Sequence, residues 1–232
     1  MIYVTGDTHG NIDFFKLLVF CDNNPNLSRS DYLIVAGDWG GLWSEDKLGI
    51  TLTPYKNLPF TILFVDGNHE NFDMLEKYPV KEMFGGKVHI ICDNVIHLMR
   101  GQIYEIEGNS IFTFGGASSV DKAIRVEGKS WWPQEMPSEF EFHSAVRNLE
   151  KYANTVDYII THACDERSFY YPPLLMGTYK KPSSENAMLS YFEENVKYKH
   201  WYFGHYHLDG DLRDNKSALY HSIVKLGDCV KP

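Results

Sequence analysis

Five short segments carry side chains that can hold metal ions: Gly6-Asp7-Thr8-His9-Gly10, Gly37-Asp38, Gly67-Asn68-His69-Glu70, Thr161-His162 and Gly204-His205-Tyr206-His207. Aspartate, an asparagine amide oxygen and histidine supply oxygen and nitrogen donors only. That set suits manganese, iron, zinc, cobalt or nickel and disfavours a thiolate-selective ion. Asp7, His9, Asp38, Asn68, His162, His205 and His207 are too many donors for one first-row ion, whereas two ions sharing a bridging carboxylate would use them well. Asp7 and His9 stand two residues apart, as do His205 and His207. In extended backbone such side chains share a face, so each pair can converge on one cleft.

Each segment follows an apolar run that must position it. Ile2–Thr5, Tyr32–Ala36 and Thr61–Val65 are short, continuous and apolar, the pattern of strands buried on both faces. Between the first two, Asn11–Asp22 places Ile12, Phe15, Leu18 and Val19 at helical spacing. The chain therefore opens as strand–helix–strand with parallel pairing. Parallel sheets gather ligands at the carboxyl ends of their strands, where these segments stand. The middle differs. Lys87–Cys92, Val95–Met99, Gln102–Glu107 and Ser110–Phe114 are separated by tight turns and predict an antiparallel meander. Ser138 with Glu141 forms a capping box ahead of a Phe142, Val146 and Leu149 stripe, which predicts a helix over Ser138–Tyr152. Tyr158–Thr161 and Trp201–Phe203 read as strands, Glu185–Val196 as a helix, and Ala218–His221 with Ile223–Leu226 as a closing pair. The sum is an α/β fold of two mixed β-sheets packed face to face and flanked by helices. We read residues 1–232 as one domain, because neither half has enough helices to cover its own sheet.

The ordered pattern D-x-H, G-D, G-N-H-E, H, G-H-x-H runs from Asp7 to His207. It resembles the calcineurin-like metallophosphoesterase superfamily, also called purple-acid-phosphatase-like. The stretch from Gly115 to Glu135 is similar to its small bacterial and phage members. The resemblance implies a four-layer αββα sandwich with a dinuclear metal centre at the strand ends. Carried over residue by residue, it implies that Asp7, His9 and His207 hold the first ion, that Asp38 bridges, and that Asn68, His162 and His205 hold the second. His69 would not be a ligand and would protonate the leaving oxygen. The implied reaction is hydrolysis of a phosphomonoester or phosphodiester by a hydroxide bridging the two ions. Manganese is the first candidate, with iron, zinc, cobalt or nickel as alternatives. The same fold also admits a catalytically weak, metal-bound interaction scaffold, against which the complete ligand set and His69 both argue.

The departures from the pattern are specific. Protein phosphatases and dinucleoside tetraphosphatases of this family carry G-D-x-V-D-R-G at the second motif, where this chain reads Gly37-Asp38-Trp39-Gly40-Gly41. The aspartate that pairs with the catalytic histidine and the arginine that binds phosphate are therefore missing. Asp66 stands where R-G-N-H-E has its arginine. Glu70 and Asp73 are candidates to orient His69, and Lys122 and Arg125 to replace the phosphate-binding arginine. Trp131 and Trp132 read as packing residues. The tract Ser168–Pro182, with three tyrosines and three prolines, resembles a cleft-side lid.

Composition sets the outer bounds. The 232 residues are 44% hydrophobic and 23% charged, a soluble globular balance. A net charge of −9 argues against nucleic acid or an anionic membrane as partner. Two divalent ions, two aspartates and a hydroxide would leave the site itself at roughly +1, so a phosphorylated small molecule, nucleotide or phosphoprotein remains a suitable substrate. The four cysteines form no close pair and read as reduced thiols. With no basic-then-apolar leader and no long apolar run, the expected location is the cytoplasm. Of the other histidines, His89 and His97 read as exposed or hydrogen-bonded, His143 and His200 as surface, and His221 as a neighbour of the last motif.

Overall fold

The computed structural model describes residues 1–171 and 181–230. Its first sheet has seven strands, in the order β13 (Ile223–Lys225), β1 (Ile2–Thr5), β2 (Tyr32–Ala36), β3 (Thr61–Val65), β6 (Val95–Leu98), β5 (Gly86–Cys92) and β4 (Val80–Met83). The second has six, in the order β11 (Gly210–Leu212), β12 (Lys216–Ala218), β10 (His200–Phe203), β9 (Tyr158–Thr161), β8 (Asn109–Phe114) and β7 (Gln102–Ile106). Each sheet is parallel at its centre and antiparallel at its edges.

Alternation along the strands builds the layers, since successive side chains point to opposite faces. In β2, Leu33 and Val35 join one apolar cluster while Ile34 and Ala36 join another. In β10, Trp201 and Phe203 pack outward while Tyr202 faces the first sheet. The shared inner core includes Val4, Ile34, Leu63, Ile111, Ile160 and Tyr202. Helices α1 (Phe15–Asn23), α2 (Leu48–Thr51), α3 (Thr53–Lys56) and α4 (Phe72–Leu75) cover the outer face of the first sheet through Leu17, Leu48, Tyr55 and Phe72. Helices α5 (Glu139–Lys151), α6 (Glu166–Phe169) and α7 (Ser184–Asn195) cover the second through Leu149, Phe169 and Phe192. This is the αββα sandwich implied above. The Ser138–Glu141 capping box is present in full.

Several expectations need correction. The Ile12, Phe15, Leu18 and Val19 stripe faces solvent, with Ile12 82% exposed. Residues 11–13 are spent on the turn after the first motif, where Ile12 N–H donates to His9 O and Asp13 N–H to Thr8 O. The helix therefore starts at Phe15 and buries Leu17, with Phe14 and Phe20 beside it. The meander divides between the sheets: β6 lies parallel to β3, and the chain crosses before β7. Of the closing pair, only Ala218 of Ala218–His221 lies in a strand, at the end of β12 in the second sheet, whereas β13 pairs with β1 in the first. His200 is buried against Ser217 rather than on the surface. For His89 and His97 the hydrogen-bonded alternative holds: both are buried and bonded to each other. Of the tract read as a lid, residues 172–180 lie outside the described residues. Among the described residues, no helix is long and apolar enough to cross a membrane.

Candidate metal centre

The turns after β1, β2, β3, β9 and β10 bring the five segments to one end of the sandwich. Their donor atoms fall into overlapping groups, each lying within 4.8 Å: Asp7, His9 and His207; His9, Asp38 and His69; and Asp38, His162 and His205. His207 Nε2 is 3.1 Å from Asp7 Oδ2. Asn68 Oδ1 is 3.1 Å from His162 Nε2. Asp38 reaches both sides, with Oδ2 3.3 Å from His9 Nε2 and Oδ1 3.4 Å from His162 Nε2. His69, which the family pattern leaves out of the ligand set, is close enough to His9 and Asp38 to be grouped with them.

The backbone here is bent as few sequences bend. His9, Asp38, His205 and His207 have φ of 42°, 47°, 70° and 52°, the left-handed region that non-glycine residues avoid. Such conformations cost about 1–3 kcal/mol each and collect at functional sites. Two glycines make room for ligands from other segments. A Cβ on Gly67 would fall within the Asp38 carboxylate, and a Cβ on Gly37 within the His162 ring.

An outer ring of partners aims the donors. Asp13 Oδ2 lies 2.7 Å from His9 Nδ1, which directs His9 Nε2 inward. Asp13 Oδ1 accepts from the Tyr220 hydroxyl at 3.1 Å, and the Tyr220 ring stacks on His207 with centroids 4.4 Å apart. His162 Nδ1 donates to Ala36 O at 2.9 Å and leaves Nε2 for the site. Asn68 Nδ2 donates to Ser119 Oγ at 3.1 Å. Lys16 Nζ binds the carbonyls of Gly6, Asp7 and Tyr220, tying the first motif to the loop that carries Tyr220. Sequence reading missed Asp13, Lys16, Ser119 and Tyr220. Asp13 stood four residues after His9, and Ser119 lay within the Gly115–Glu135 stretch; Lys16 and Tyr220 carried no such local signal.

The donors fit a cation. Asp7 Oδ2 is buried and has no hydrogen-bond partner of acceptable geometry, although His207 Nε2 is near. Burial would raise the Asp7 carboxyl, but His207 and His162 hold it lowered. Burial would likewise raise Asp38, yet His162 and His69 hold it well below the usual carboxylate range. Burial followed by the His162 charge pushes His205 down to about 3, so it stays a neutral donor.

His9 and His162 behave oppositely. Burial disfavours their charged forms, but Asp38 outweighs it and raises them to about 9 and about 10. An ion that takes these carboxylates and imidazoles must displace those protons. Metal uptake at neutral pH is therefore expected to release protons, up to one from each ring. Calorimetry of Mn²⁺ binding in two buffers of different ionisation enthalpy reads this, and zero release contradicts it. The same raised values stabilise the metal-free fold in full below the unfolded histidine value near 6.5. That contribution is lost as pH rises through about 9 to 10.

The remaining candidates separate clearly. Glu70 does not orient His69: its carboxylate accepts from Trp39 N–H at 2.8 Å and Gly40 N–H at 3.1 Å, and so braces the second motif. Asp73 accepts from Trp132 Nε1 at 2.8 Å. His69 N–H donates to Asp38 Oδ1 at 2.7 Å, and its Nε2 lies 3.3 Å from an Arg125 guanidinium nitrogen. Arg125 is held by Asp121 Oδ1 at 2.6 Å and Ser130 O at 2.9 Å. Lys122 lies over the Trp131 ring, 3.9 Å from its centroid. Asp66 turns inward to Arg100 Nε, 2.7 Å away, and to His97. A cleft of about 450 Å³ opens beside the site, lined by His9, His69, Arg125, Trp43, Thr51 and Lys47 among others.

A family model described as "Calcineurin-like phosphoesterase" matches residues 1–209. A Fibrobacter succinogenes protein named "Probable cyclic nucleotide phosphodiesterase" is 25% identical over 125 residues, which are 54% of this chain and 44% of that protein. The chain thus spans less than half the length of this curated relative. Among solved structures, a phosphopantetheinyl hydrolase from Mycobacterium tuberculosis superposes with a TM-score of 0.43 at 16% identity, covering 94% of this chain and 87% of its own. A 5'-nucleotidase from Candida albicans gives 0.42 at 17% identity, covering 94% of this chain and 44% of its own.

Proposed function

The chain belongs to the calcineurin-like phosphoesterase family, and from that premise we propose that it is a metal-dependent hydrolase of phosphoric esters. Its centre is dinuclear, held by Asp7, His9 and His207 on one side, Asn68, His162 and His205 on the other, and Asp38 between them. The observation that carries this reading is the position of Asp38, whose two carboxylate oxygens face His9 and His162 separately. Bound there, two ions supply Lewis acidity toward the phosphoryl oxygens and activate water.

The chain's own residues do the rest. Asp13 and Ala36 fix the faces of His9 and His162. Arg125 presents its guanidinium at the cleft, where a phosphate anion can pair with it. His69 Nε2 accepts from that guanidinium in the free protein. Burial, with the charges of Arg125 and the neighbouring imidazoles, holds His69 below its ordinary range despite Asp38. A phosphate that takes up the Arg125 charge frees Nε2 and favours the protonated ring. The departing alkoxide then takes its proton from that nitrogen. The substrate is a phosphorylated small molecule, nucleotide or phosphoprotein whose alcohol side enters the cleft beside His69. The name of the Fibrobacter relative puts a diester first in the assay.

The test strips the protein with chelator, reloads it with Mn²⁺, and offers p-nitrophenyl phosphate and bis-p-nitrophenyl phosphate. Turnover of either is expected only after reloading. Equal turnover in chelator sinks the metal dependence. No turnover of either ester with two ions bound favours the scaffold reading instead.

A further inference from the structure

We propose that Glu135, acting through Ser119, is a positioning residue that keeps the Asn68 amide oxygen turned toward the second metal position. The proposal rests on the dinuclear reading above. A primary amide offers oxygen and NH₂ in nearly the same shape, so sterics do not choose which end faces a cation. The choice is made by what pins the NH₂. Here Asn68 Nδ2 donates to Ser119 Oγ at 3.1 Å. A serine hydroxyl can donate or accept, and would fix nothing if its own proton were free to rotate. That proton is committed, because Ser119 Oγ donates to Glu135 Oε2 at 2.7 Å. Glu135 Oε1 accepts the Ser119 backbone N–H at 3.2 Å. Both Glu135 oxygens are thus taken up as acceptors by Ser119, and the chain of donors runs from Asn68 to Ser119 to Glu135. The Asn68 oxygen is left facing His162 Nε2 and the site.

The surroundings hold this relay rigid. Glu135 and Ser119 are buried, with Glu135 only 1% exposed, and a buried carboxylate is costly unless its bonds are used. Arg100 connects both ends of the device. It donates to Asp66 Oδ2 just before the third motif, and also to Gln134 O at 2.7 Å and Glu135 O at 3.3 Å. Gly116 N–H donates to Asp66 O at 2.9 Å, and Ala117 N–H to Glu135 O at 3.1 Å. Asp66, the departure from the arginine of related phosphatases, thus anchors the strand end that carries Asn68 to the segment that orients it.

The test is Mn²⁺ titration by calorimetry of wild type, Ser119→Ala, Ser119→Thr and Glu135→Gln. Wild type is expected to take two ions. Ser119→Ala should keep one site at wild-type affinity and weaken the other by about 10–100-fold, the usual cost of losing an outer partner. Ser119→Thr keeps the hydroxyl and should restore the weakened site. Glu135→Gln, which can donate to Ser119 as well as accept, should fall between. Two sites at unchanged affinity in Ser119→Ala overturn this proposal alone, as does equal loss of both sites. Wild type that takes fewer than two ions overturns the dinuclear reading together with this one.

Discussion

Asp38→Asn is expected to cost the protein both ions at once and to lower turnover by about 10³-fold or more. The geometry explains why one atom exchange reaches so far. Asp38 Oδ1 already accepts the His69 N–H, so the asparagine oxygen would settle there. The new NH₂ would then face His9 Nε2, 3.3 Å from the oxygen it replaces, with a donor where a cation needs an acceptor. The lost charge also removes the main force that holds His9 and His162 charged in the metal-free fold. Mn²⁺ stoichiometry and turnover of the better nitrophenyl ester check this. A variant that binds two ions and turns over at the wild-type rate defeats the bridging assignment.

The second large effect belongs to His69→Ala, and its size depends on what leaves. An alkoxide needs a proton as it departs, whereas a nitrophenolate does not. On an alkyl phosphate ester, kcat should fall by about 10²–10⁴-fold, the range for a lost general acid. On a nitrophenyl ester the loss should be much smaller. Mn²⁺ stoichiometry should be unchanged. The same experiment resolves the closeness of His69 to His9 and Asp38. If His69 were a ligand, the variant would lose an ion, and both esters would suffer equally.

Much of this was legible from residue order. Ile2–Thr5, Tyr32–Ala36 and Thr61–Val65 coincide with strands because continuous apolar runs cut by Gly-Asp or Gly-Asn admit little else, and the apolar run Tyr158–Thr161 ahead of His162 coincides with a fourth. The five motifs meet at one end because each follows a strand of a parallel core. What escaped was partnership. Gln102–Ile106 reads as a strand locally, yet nothing local says that it leaves the sheet of Val95–Leu98 for the other one. His200 looked like surface because its partner Ser217 lies on a strand that reaches it only through the fold. The outer ring was hidden for the same reason. Ser119 is 51 residues from Asn68, and Tyr220 is 207 from Asp13. The apolar stripe after the first motif misled because the turn that aims His9 delays the helix.

The two glycines that yield space to neighbouring motifs constrain anyone who would rebuild this centre elsewhere. Gly67 vacates the volume that the Asp38 carboxylate occupies, and Gly37 the volume of the His162 ring. The segments are interlocking pieces, not independent modules. A graft of the second motif alone into another sandwich would meet a methyl group where its carboxylate must rest. Transplantation has to move the second motif with the third, and the fourth with the second. Libraries that place any side chain at Gly37 or Gly67 while the other segments stay fixed drive it into the His162 ring or the Asp38 carboxylate.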